Sequence, residues 1–369
     1  MNAVAYCHPF VPPEWIAAHG LRPCWLPCRA GDGPAVWVRR GVCPVAAARL
    51  DDFAGELPAE AVVLTTTCDQ IRYAAALLQH LGRLPVFLMH VPRTWQTAAV
   101  RTFYREELSR LGRFLVGCGG TAPEDGALSR TMLGYDRARA SLLRQRGAMP
   151  AGVFAQAIAA VRGHLAESTQ YIAPAREYVR LSSLTEQTGQ AGKPDVHDSL
   201  SRRGNIRRTP CGALDGTRRV PATLPLALVG GPMSQGDYEL LKAVEGAGGC
   251  FVLDATEAGE RTLPAPLDID RLEADPREEL ARIYFDCIPD VFQRPNDRLF
   301  AWLRRQVAER CVRGVLVRRY VWCDHWHGEM PRLREELSVP VLEWDGAGND
   351  PRALAGTVGR MEAFLEMLR

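Results

Sequence analysis

Short apolar runs alternate with amphipathic segments along most of this chain. In the first part, Ala61–Thr66 and Pro85–His90 are apolar, partly β-branched runs that are typical of buried strands. Each is followed by a segment with helical periodicity, over Asp69–Leu81 and Thr97–Leu111 respectively. Alternation of this kind predicts βαβ units and therefore a mainly parallel sheet.

The remaining patterns extend the same alternation through both ends of the chain. In the first part they predict one more strand over Ala35–Val38 and helices over Glu14–His19, Cys43–Phe53, Gly126–Gly147 and Pro150–Glu167. In the last part they predict strands over Leu226–Val229, Cys250–Leu253, Gly314–Tyr320 and Val339–Glu343. The helices predicted there cover Asp237–Gly246, Arg277–Cys287, Asn296–Arg310, Met330–Leu337 and Thr357–Leu368.

A shift in composition separates the two parts. The segment Ser182–Thr223 is rich in Ser, Gly, Pro, Thr and Arg and has almost no aliphatic run, which indicates a flexible linker or a long loop. A chain of 369 residues fits two domains on a prior of about 150 residues each. We therefore expect an α/β fold with an N-terminal domain and helical appendage over 1–181, a linker over 182–223, and a C-terminal α/β domain over 224–369.

Composition and charge narrow the classes of function. The chain has 45 basic and 43 acidic residues, so it lacks the basic excess of a nucleic-acid-binding protein. Its N-terminus lacks a signal-peptide pattern, and no apolar run reaches the roughly 18–20 residues of a membrane span. We expect a cytoplasmic protein without a membrane partner. Its 11 cysteines should then be reduced thiols.

Three cysteines, Cys43, Cys68 and Cys323, each stand just past an apolar, strand-like run. In α/β proteins the carboxyl ends of parallel strands open onto a common crevice, where ligands bind. Three thiolates meeting there would leave a tetrahedral metal, or one iron of a cluster, with one position free for substrate. The alternative is three buried core cysteines. Cys24 and Cys28 have no second local pair, and we expect them not to join this site.

Other polar residues also follow predicted strands. His325 and His327 come soon after Cys323, and on an extended segment all three would point to one side, which allows a zinc site as an alternative. Glu329 is a candidate acid or base beside them. The second alternative is a surface strand end whose histidines have ordinary partners.

Two further strand ends carry polar or turn-forming residues. Asp254 and Glu257 follow another strand and could reach the mouth of the crevice. Gly230-Gly231-Pro232 lacks the GxGxxG and GK[ST] patterns, so it indicates a tight turn at a strand end rather than a nucleotide site.

Several short motifs, in a fixed order, resemble the 2-hydroxyacyl-CoA dehydratase / benzoyl-CoA reductase family. Each motif alone is weak, but their order is specific, and cysteines stand at all three ligand positions of the family. The matching stretches are Pro13-Glu14-x-Ile16-x-Ala18-x-Gly20-Leu21-x-Pro23, Cys43-Pro44, Thr67-Cys68-Asp69, Val91-Pro92-Arg93, Gly230-Gly231-Pro232, Leu253-Asp254, Trp322-Cys323, Val339-Pro340-Val341-Leu342-Glu343 and the final Met361–Leu368.

The resemblance implies two Rossmann-like parallel-sheet domains with additional helices and a cluster site in the cleft between the domains. It implies a 4Fe–4S cluster held by Cys43, Cys68 and Cys323, with one iron open to water or to the carbonyl of an acyl-CoA thioester. It also implies pairing with a related subunit, in a heterodimer or with itself. A separate ATP-dependent iron–sulfur activator protein would supply single electrons.

The chemistry of the family explains why it needs the cluster and the electron-supplying activator. Removal of a hydroxyl α to a thioester needs loss of a non-acidic β-proton, and one-electron reduction to a ketyl radical makes both losses feasible. We expect Arg93 or His327 to interact with the thioester or the departing hydroxyl, with Glu329 as acid or base. Trp95 and Trp322 are expected to border the same pocket. The alternatives are a reductase subunit of the benzoyl-CoA reductase type and a non-catalytic electron-relay partner.

Overall fold

The structure is a computed structural model that describes residues 2–28, 41–54, 59–146, 149–168, 223–345 and 351–369. The predicted strand over 35–38 and nearly all of the predicted linker over 182–223 lie outside the described residues. Within the described part, the protein contains two four-stranded sheets, and every strand pair in them is parallel. The α/β prediction with parallel sheets is confirmed.

The first sheet has the order β2-β1-β3-β4 and is formed by the N-terminal part of the chain. Its strands are β1 (Ala3–Tyr6), β2 (Arg22–Trp25), β3 (Ala61–Thr65) and β4 (Val86–Met89). All five residues of β3 are buried, as expected for a central parallel strand covered on both faces. β1 and β2 were not predicted; β2 has the sequence Arg-Pro-Cys-Trp, which contains no apolar run.

Helices follow the strands and then extend this half into the predicted helical appendage. They are α1 (Pro13–Ala18), α2 (Pro44–Ala54), α3 (Asp69–Leu81), α4 (Ala98–Gly117), α5 (Asp125–Arg144), α6 (Ala151–Arg162) and α7 (Leu165–Ser168). α3 ends at Gly82, whose φ of 61° lets its N–H cap the carbonyl of Leu78. α4 continues to Gly117, beyond the predicted helix end at Leu111.

The second sheet has the order β6-β5-β7-β8. Its strands are β5 (Leu224–Gly230), β6 (Gly249–Ala255), β7 (Gly314–Arg318) and β8 (Val341–Trp344). The helices of this half are α8 (Gln235–Gly246), α9 (Ile269–Ala274), α10 (Pro276–Ala281), α11 (Asp297–Glu309), α12 (Asp324–Glu336) and α13 (Pro351–Leu368). A π-helical turn, Arg282–Asp286, follows α10.

The two halves share a core. Leu280, Ile283 and Phe285, from α10 and the π-helical turn, are buried in one apolar cluster with Tyr104 and Leu111 of α4. The π-helical turn also aims the hydroxyl of Tyr284 at a carboxylate oxygen of Glu14, to which it donates a hydrogen bond of 2.6 Å. Glu14 also forms an ion pair with Arg139, and all three side chains are buried. The halves are therefore joined by both apolar packing and buried polar contacts.

Each sheet has one point where the strand order reverses, between β1 and β3 in the first and between β5 and β7 in the second. The segments that leave these four strands border the crevices in which ligands of open α/β sheets bind. Each of the two later strands, β3 and β7, leads to one of the predicted cysteines, Cys68 and Cys323. No helix in the described ranges has the length and apolar character needed to cross a membrane.

Candidate functional site

Each of the three predicted cysteines stands at the start of a helix. Cys68 and Cys323 are the residues that precede the first turns of α3 and α12, and Cys43 directly precedes α2. The free N–H groups of a first helical turn and the positive end of the helix dipole both favour a negative group there. The sequence therefore places three thiols at three sites that stabilise a thiolate.

Backbone N–H groups of these first turns donate hydrogen bonds to all three thiols. The N–H of Ala46 lies 3.3 Å from the sulfur of Cys43. The N–H groups of Gln70 and Ile71 donate to Cys68, and that of Trp326 donates to Cys323. These bonds lower the pKa of each thiol and fix its position relative to its helix.

The three helix starts come from distant parts of the chain and are brought close together. A ring nitrogen of His325, Nε2, lies 3.0 Å from the carbonyl oxygen of Thr67, which joins the start of α12 to the residue before Cys68. Cys323 packs against a small cluster that contains Ala48 of α2, together with Cys28 and Tyr320. Cys28 thus lies near Cys323, and Cys24 packs against the apolar cluster that contains Cys43.

Burial dominates the ionisation of the three thiols. It raises the pKa of Cys43 to about 12 and that of Cys323 to about 11, and it also raises the pKa of Cys68. Negative charge on Cys68 and Cys323 raises the pKa of Cys43 further, so the three groups lie within electrostatic reach of one another. Without a bound cation the thiols are protonated, and a metal would have to displace the protons.

No three His, Cys, Asp or Glu side chains in the described part of the chain converge on a point that suits a single metal ion. A four-iron cluster does not need ligands that converge on one point, because each thiolate binds a different iron. Three half-buried or buried thiols, each with its own N–H donors and without a hydrogen-bonded carboxylate, suit such a cluster. The donor set therefore fits the cluster that the resemblance implies.

The alternative zinc arrangement is not what the structure shows. Asp324–Glu336 forms a helix, whereas the alternative required an extended segment through His325 and His327. A helix advances about 100° per residue, so alternate residues do not share a side. His325 is half-buried and contacts Thr67, whereas His327 is exposed. The prediction that Cys323, His325 and His327 point to one side is wrong.

The predicted residues Arg93, His327 and Glu329 have different surroundings. Arg93 is exposed, and its side chain forms no hydrogen bond or ion pair with the described residues. Its carbonyl accepts a hydrogen bond of 2.7 Å from the N–H of Arg294. The guanidinium of Arg294 in turn pairs with the carboxylate of Glu329 at 2.8 Å. Glu329 is buried in this ion pair, which lowers its value as an acid or base.

The two predicted wall residues also differ. Trp95 donates from its indole nitrogen to the carbonyl of Pro295, at 2.8 Å, so the loop after β4 is tied to the C-terminal half. Trp322 is 56% exposed and has a φ of 66°, a conformation that bulky residues rarely adopt. A strained residue directly before Cys323 is typical of a functional position.

Glu257 has a carboxylate near the cysteines, and the sequence alone indicated no role for it. It follows β6, and its charge raises the pKa of both Cys68 and Cys323. Burial and the charge of Asp290 raise its own pKa to about 7, although the positive charges of Arg261, Arg49 and Arg162 oppose them. The sequence signal was its position just past a strand, which does not distinguish it from Asp254.

His8 is a second residue that the sequence analysis missed. It follows β1, at the reversal point of the first sheet, and is half-buried. Burial lowers its pKa to about 4, so the imidazole is neutral near pH 7. Its Nδ1 accepts a hydrogen bond of 3.3 Å from the N–H of Phe10, which leaves the proton on Nε2. No local motif marks this histidine.

One expectation about the other cysteines is wrong. Cys250 is disulfide-bonded, although the composition predicted reduced thiols throughout. Disulfide formation depends on which cysteines the fold brings together, and composition carries no information about that.

Comparison with known proteins places the chain in a family. The family model described as 2-hydroxyglutaryl-CoA dehydratase, D-component, matches residues 9–368. No curated protein sequence matches. Among solved structures, a mutant of the laminin-binding adhesin of Streptococcus agalactiae aligns with 11% identity over 100% of both chains. Its TM-score is 0.22, so this alignment carries no argument about fold or function.

Proposed function

Because the chain belongs to the 2-hydroxyglutaryl-CoA dehydratase D-component family, we propose that it is a subunit of a 2-hydroxyacyl-CoA dehydratase, a lyase. The observation that carries the proposal is the family match over nearly the whole chain. The arrangement of three thiols at three helix starts supports it independently, because the match was not used to find that geometry.

We assign Cys43, Cys68 and Cys323 as the residues that would hold a 4Fe–4S cluster. When bound, such a cluster would supply one-electron chemistry at the thioester carbonyl of the acyl-CoA. The first-turn N–H groups that donate to the three sulfurs would stabilise the thiolates when they replace protonated thiols. Cys43 is buried and Cys68 and Cys323 are half-buried, which limits the access of water to the sulfurs.

The residues around the three cysteines would have different roles. The exposed guanidinium of Arg93 is available to an oxyanion of the substrate, and the exposed His327 could accompany it. Glu329 would position Arg294, and through it the Arg93 loop, because its carboxylate is already paired. Trp322 would cover Cys323 when a substrate or a partner is present.

The proposed assembly includes a related subunit and an ATP-dependent iron–sulfur activator. The need for both follows from the reaction, since single electrons of low potential must come from outside the chain. Cytoplasmic location and an acyl-CoA substrate are parts of the same proposal.

The first test is anaerobic purification with analysis of iron and acid-labile sulfide. We expect a brown protein with about four irons per chain, and loss of most of the iron in each of the variants Cys43→Ser, Cys68→Ser and Cys323→Ser. Cys311→Ser is the matched control, because Cys311 is an exposed free cysteine. A colourless protein that contains zinc, or equal iron in all four variants, would contradict the cluster assignment.

The second test is turnover by the assembled enzyme. The chain, its related subunit, the activator and ATP should release water from 2-hydroxyglutaryl-CoA and form the enoyl-CoA. Reduction of an acyl-CoA without loss of water would instead identify a reductase. Loaded protein that passes electrons but converts neither substrate would identify a relay subunit.

A further inference from the structure

We propose that Glu257 is a catalytic acid–base residue at the cysteine site. The inference rests on the proposed dehydratase function and specifies which side chains of this chain handle the protons of that reaction. It goes beyond the predicted Arg93, His327 and Glu329, none of which is an unpaired carboxylate.

The backbone of Glu257 is held on both sides. Its N–H donates to the carbonyls of Gly230 and Gly231, at 3.1 and 3.3 Å, which ties it to the end of β5. Its carbonyl accepts hydrogen bonds from Arg162 at 3.1 Å and from the hydroxyl of Thr262 at 2.8 Å. Since Arg162 is a buried residue of α6, this anchor reaches across from the N-terminal half. A catalytic group needs such fixed placement.

The carboxylate of Glu257 is free to bind a substrate, whereas neighbouring carboxylates already have hydrogen-bond or ion-pair partners. Among the described residues it forms no hydrogen bond and no ion pair, including with the three cysteines. By contrast, Asp254 is fully buried and one of its oxygens accepts two hydrogen bonds from Thr256, and Asp290 pairs with Arg261 at 2.9 Å. Glu329 is paired with Arg294. Among the described residues, Glu257 therefore combines a half-buried position near the cysteines with carboxylate oxygens that are free to bind a substrate.

The electrostatic surroundings suit proton transfer in both directions. Burial and Asp290 raise the pKa of Glu257 to about 7, against the charges of Arg261, Arg49 and Arg162. Cys7, Cys68 and Cys323 also lie within electrostatic reach of it. An acid–base group works best when its pKa is close to the working pH.

His8 supplies a complementary group from the other sheet. The charges of Asp290, Arg261 and Arg162 act on the pKa of His8 and also on that of Glu257, so both side chains lie within electrostatic reach of these three groups. As a neutral imidazole with its proton on Nε2, it can donate a hydrogen bond to a carbonyl or hydroxyl oxygen without giving up a proton.

Glu257 alone can carry out both proton transfers of the dehydration. After the thioester has gained one electron, which the iron–sulfur activator provides, the C–O bond to the α-hydroxyl breaks and protonated Glu257 gives its proton to the departing hydroxide. Water leaves, and the resulting carboxylate takes the β-proton, which restores the acid. The electron is then returned, so the net change is the loss of one water molecule.

The test compares Glu257→Gln, Glu257→Asp and the control Glu273→Gln in the assembled enzyme with 2-hydroxyglutaryl-CoA. Glu273 is an exposed residue of α9, so its variant makes the same change of charge away from the site. We expect Glu257→Gln to lower kcat by about 10²–10⁴-fold with little change in KM, since it cannot carry the proton. The aspartate should recover part of the rate, and the control should match the wild type.

A second measurement does not depend on turnover. Infrared difference spectra of the cluster-free chain should show a protonated carboxyl band that titrates near pH 7. The band should persist in Glu273→Gln and disappear in Glu257→Gln. Full activity of Glu257→Gln, or a band that survives in it, would overturn the assignment of Glu257. A wild-type enzyme that fails to dehydrate, with the band present, would instead overturn the dehydratase proposal.

Discussion

Replacement of Gly230 by alanine tests how the second sheet delivers Cys323. Gly230 is the last residue of β5, pairs with Arg318 of β7 and has a φ of 136°. A Cβ added there would lie 2.0 Å from the carbonyl oxygen of Arg318 and 2.9 Å from its backbone nitrogen. These neighbours are backbone atoms in the centre of a sheet, so they cannot move aside as a flexible side chain does.

Two costs follow from this geometry. An alanine held at such a φ costs about 1–3 kcal/mol, and forcing a methyl group into a filled space costs about 1–3 kcal/mol more. We therefore expect Gly230→Ala to lower the free energy of unfolding by about 2–6 kcal/mol, a large part of the roughly 5–15 kcal/mol typical of a folded protein. Because β7 leads directly to Cys323, the iron content should also fall.

The assay is urea unfolding followed by the fluorescence of Trp326 and Trp344, which are both 2% exposed and lie in this half. Gly246→Ala is the matched control, since Gly246 ends α8 and a Cβ there would have nothing within 4 Å. It should be neutral or stabilising by up to about 1 kcal/mol. Equal unfolding midpoints for Gly230→Ala and Gly246→Ala would refute the argument.

Three further predictions concern buried charge, backbone strain and pH. Glu14→Gln should cost about 3–5 kcal/mol in urea unfolding because it leaves Arg139 buried without its partner, and adding Arg139→Met should recover part of the loss; no recovery would contradict this. Trp322→Gly should be about 1 kcal/mol more stable than Trp322→Ala, because only glycine relieves the positive φ, and equal melting temperatures would show no strain. The folded pKa of His8 is about 4 against 6.5 when unfolded, so the wild type should lose stability as pH falls from 6.5 towards 4. That slope should be smaller in His8→Asn, and an unchanged slope in pH-dependent unfolding would contradict the assignment.

Local sequence patterns were sufficient for the elements that are long enough to show a period. The helix over Asp69–Leu81 was predicted with its observed bounds, and the strand over Ala61–Thr66 was one residue longer than observed. The three cysteines were found because each stands between a strand-like run and a helix, which is a local feature. Their assignment as cluster ligands stays a prediction that depends on the family resemblance.

The start of α12 shows why some local predictions fail. The sequence Cys323-Asp324-His325-Trp326-His327 has no helical periodicity of its own and by itself allows an extended segment. In the folded chain Trp326 and Met330 are buried against the second sheet, and this packing extends the helix to Asp324. Burial of one helix face against a sheet outweighs weak local preference.

The sequence by itself determined the alternation of strands and helices, the parallel sheets that follow from it, and the junctions at which the cysteines stand. Only the tertiary structure decided which polar groups near those cysteines remain unpaired. Glu329 and Glu257 look alike in the sequence, yet Arg294 neutralises the first while the second has no ion-pair partner among the described residues. The physical reason is that pairing and burial depend on neighbours from distant parts of the chain, which no local pattern encodes.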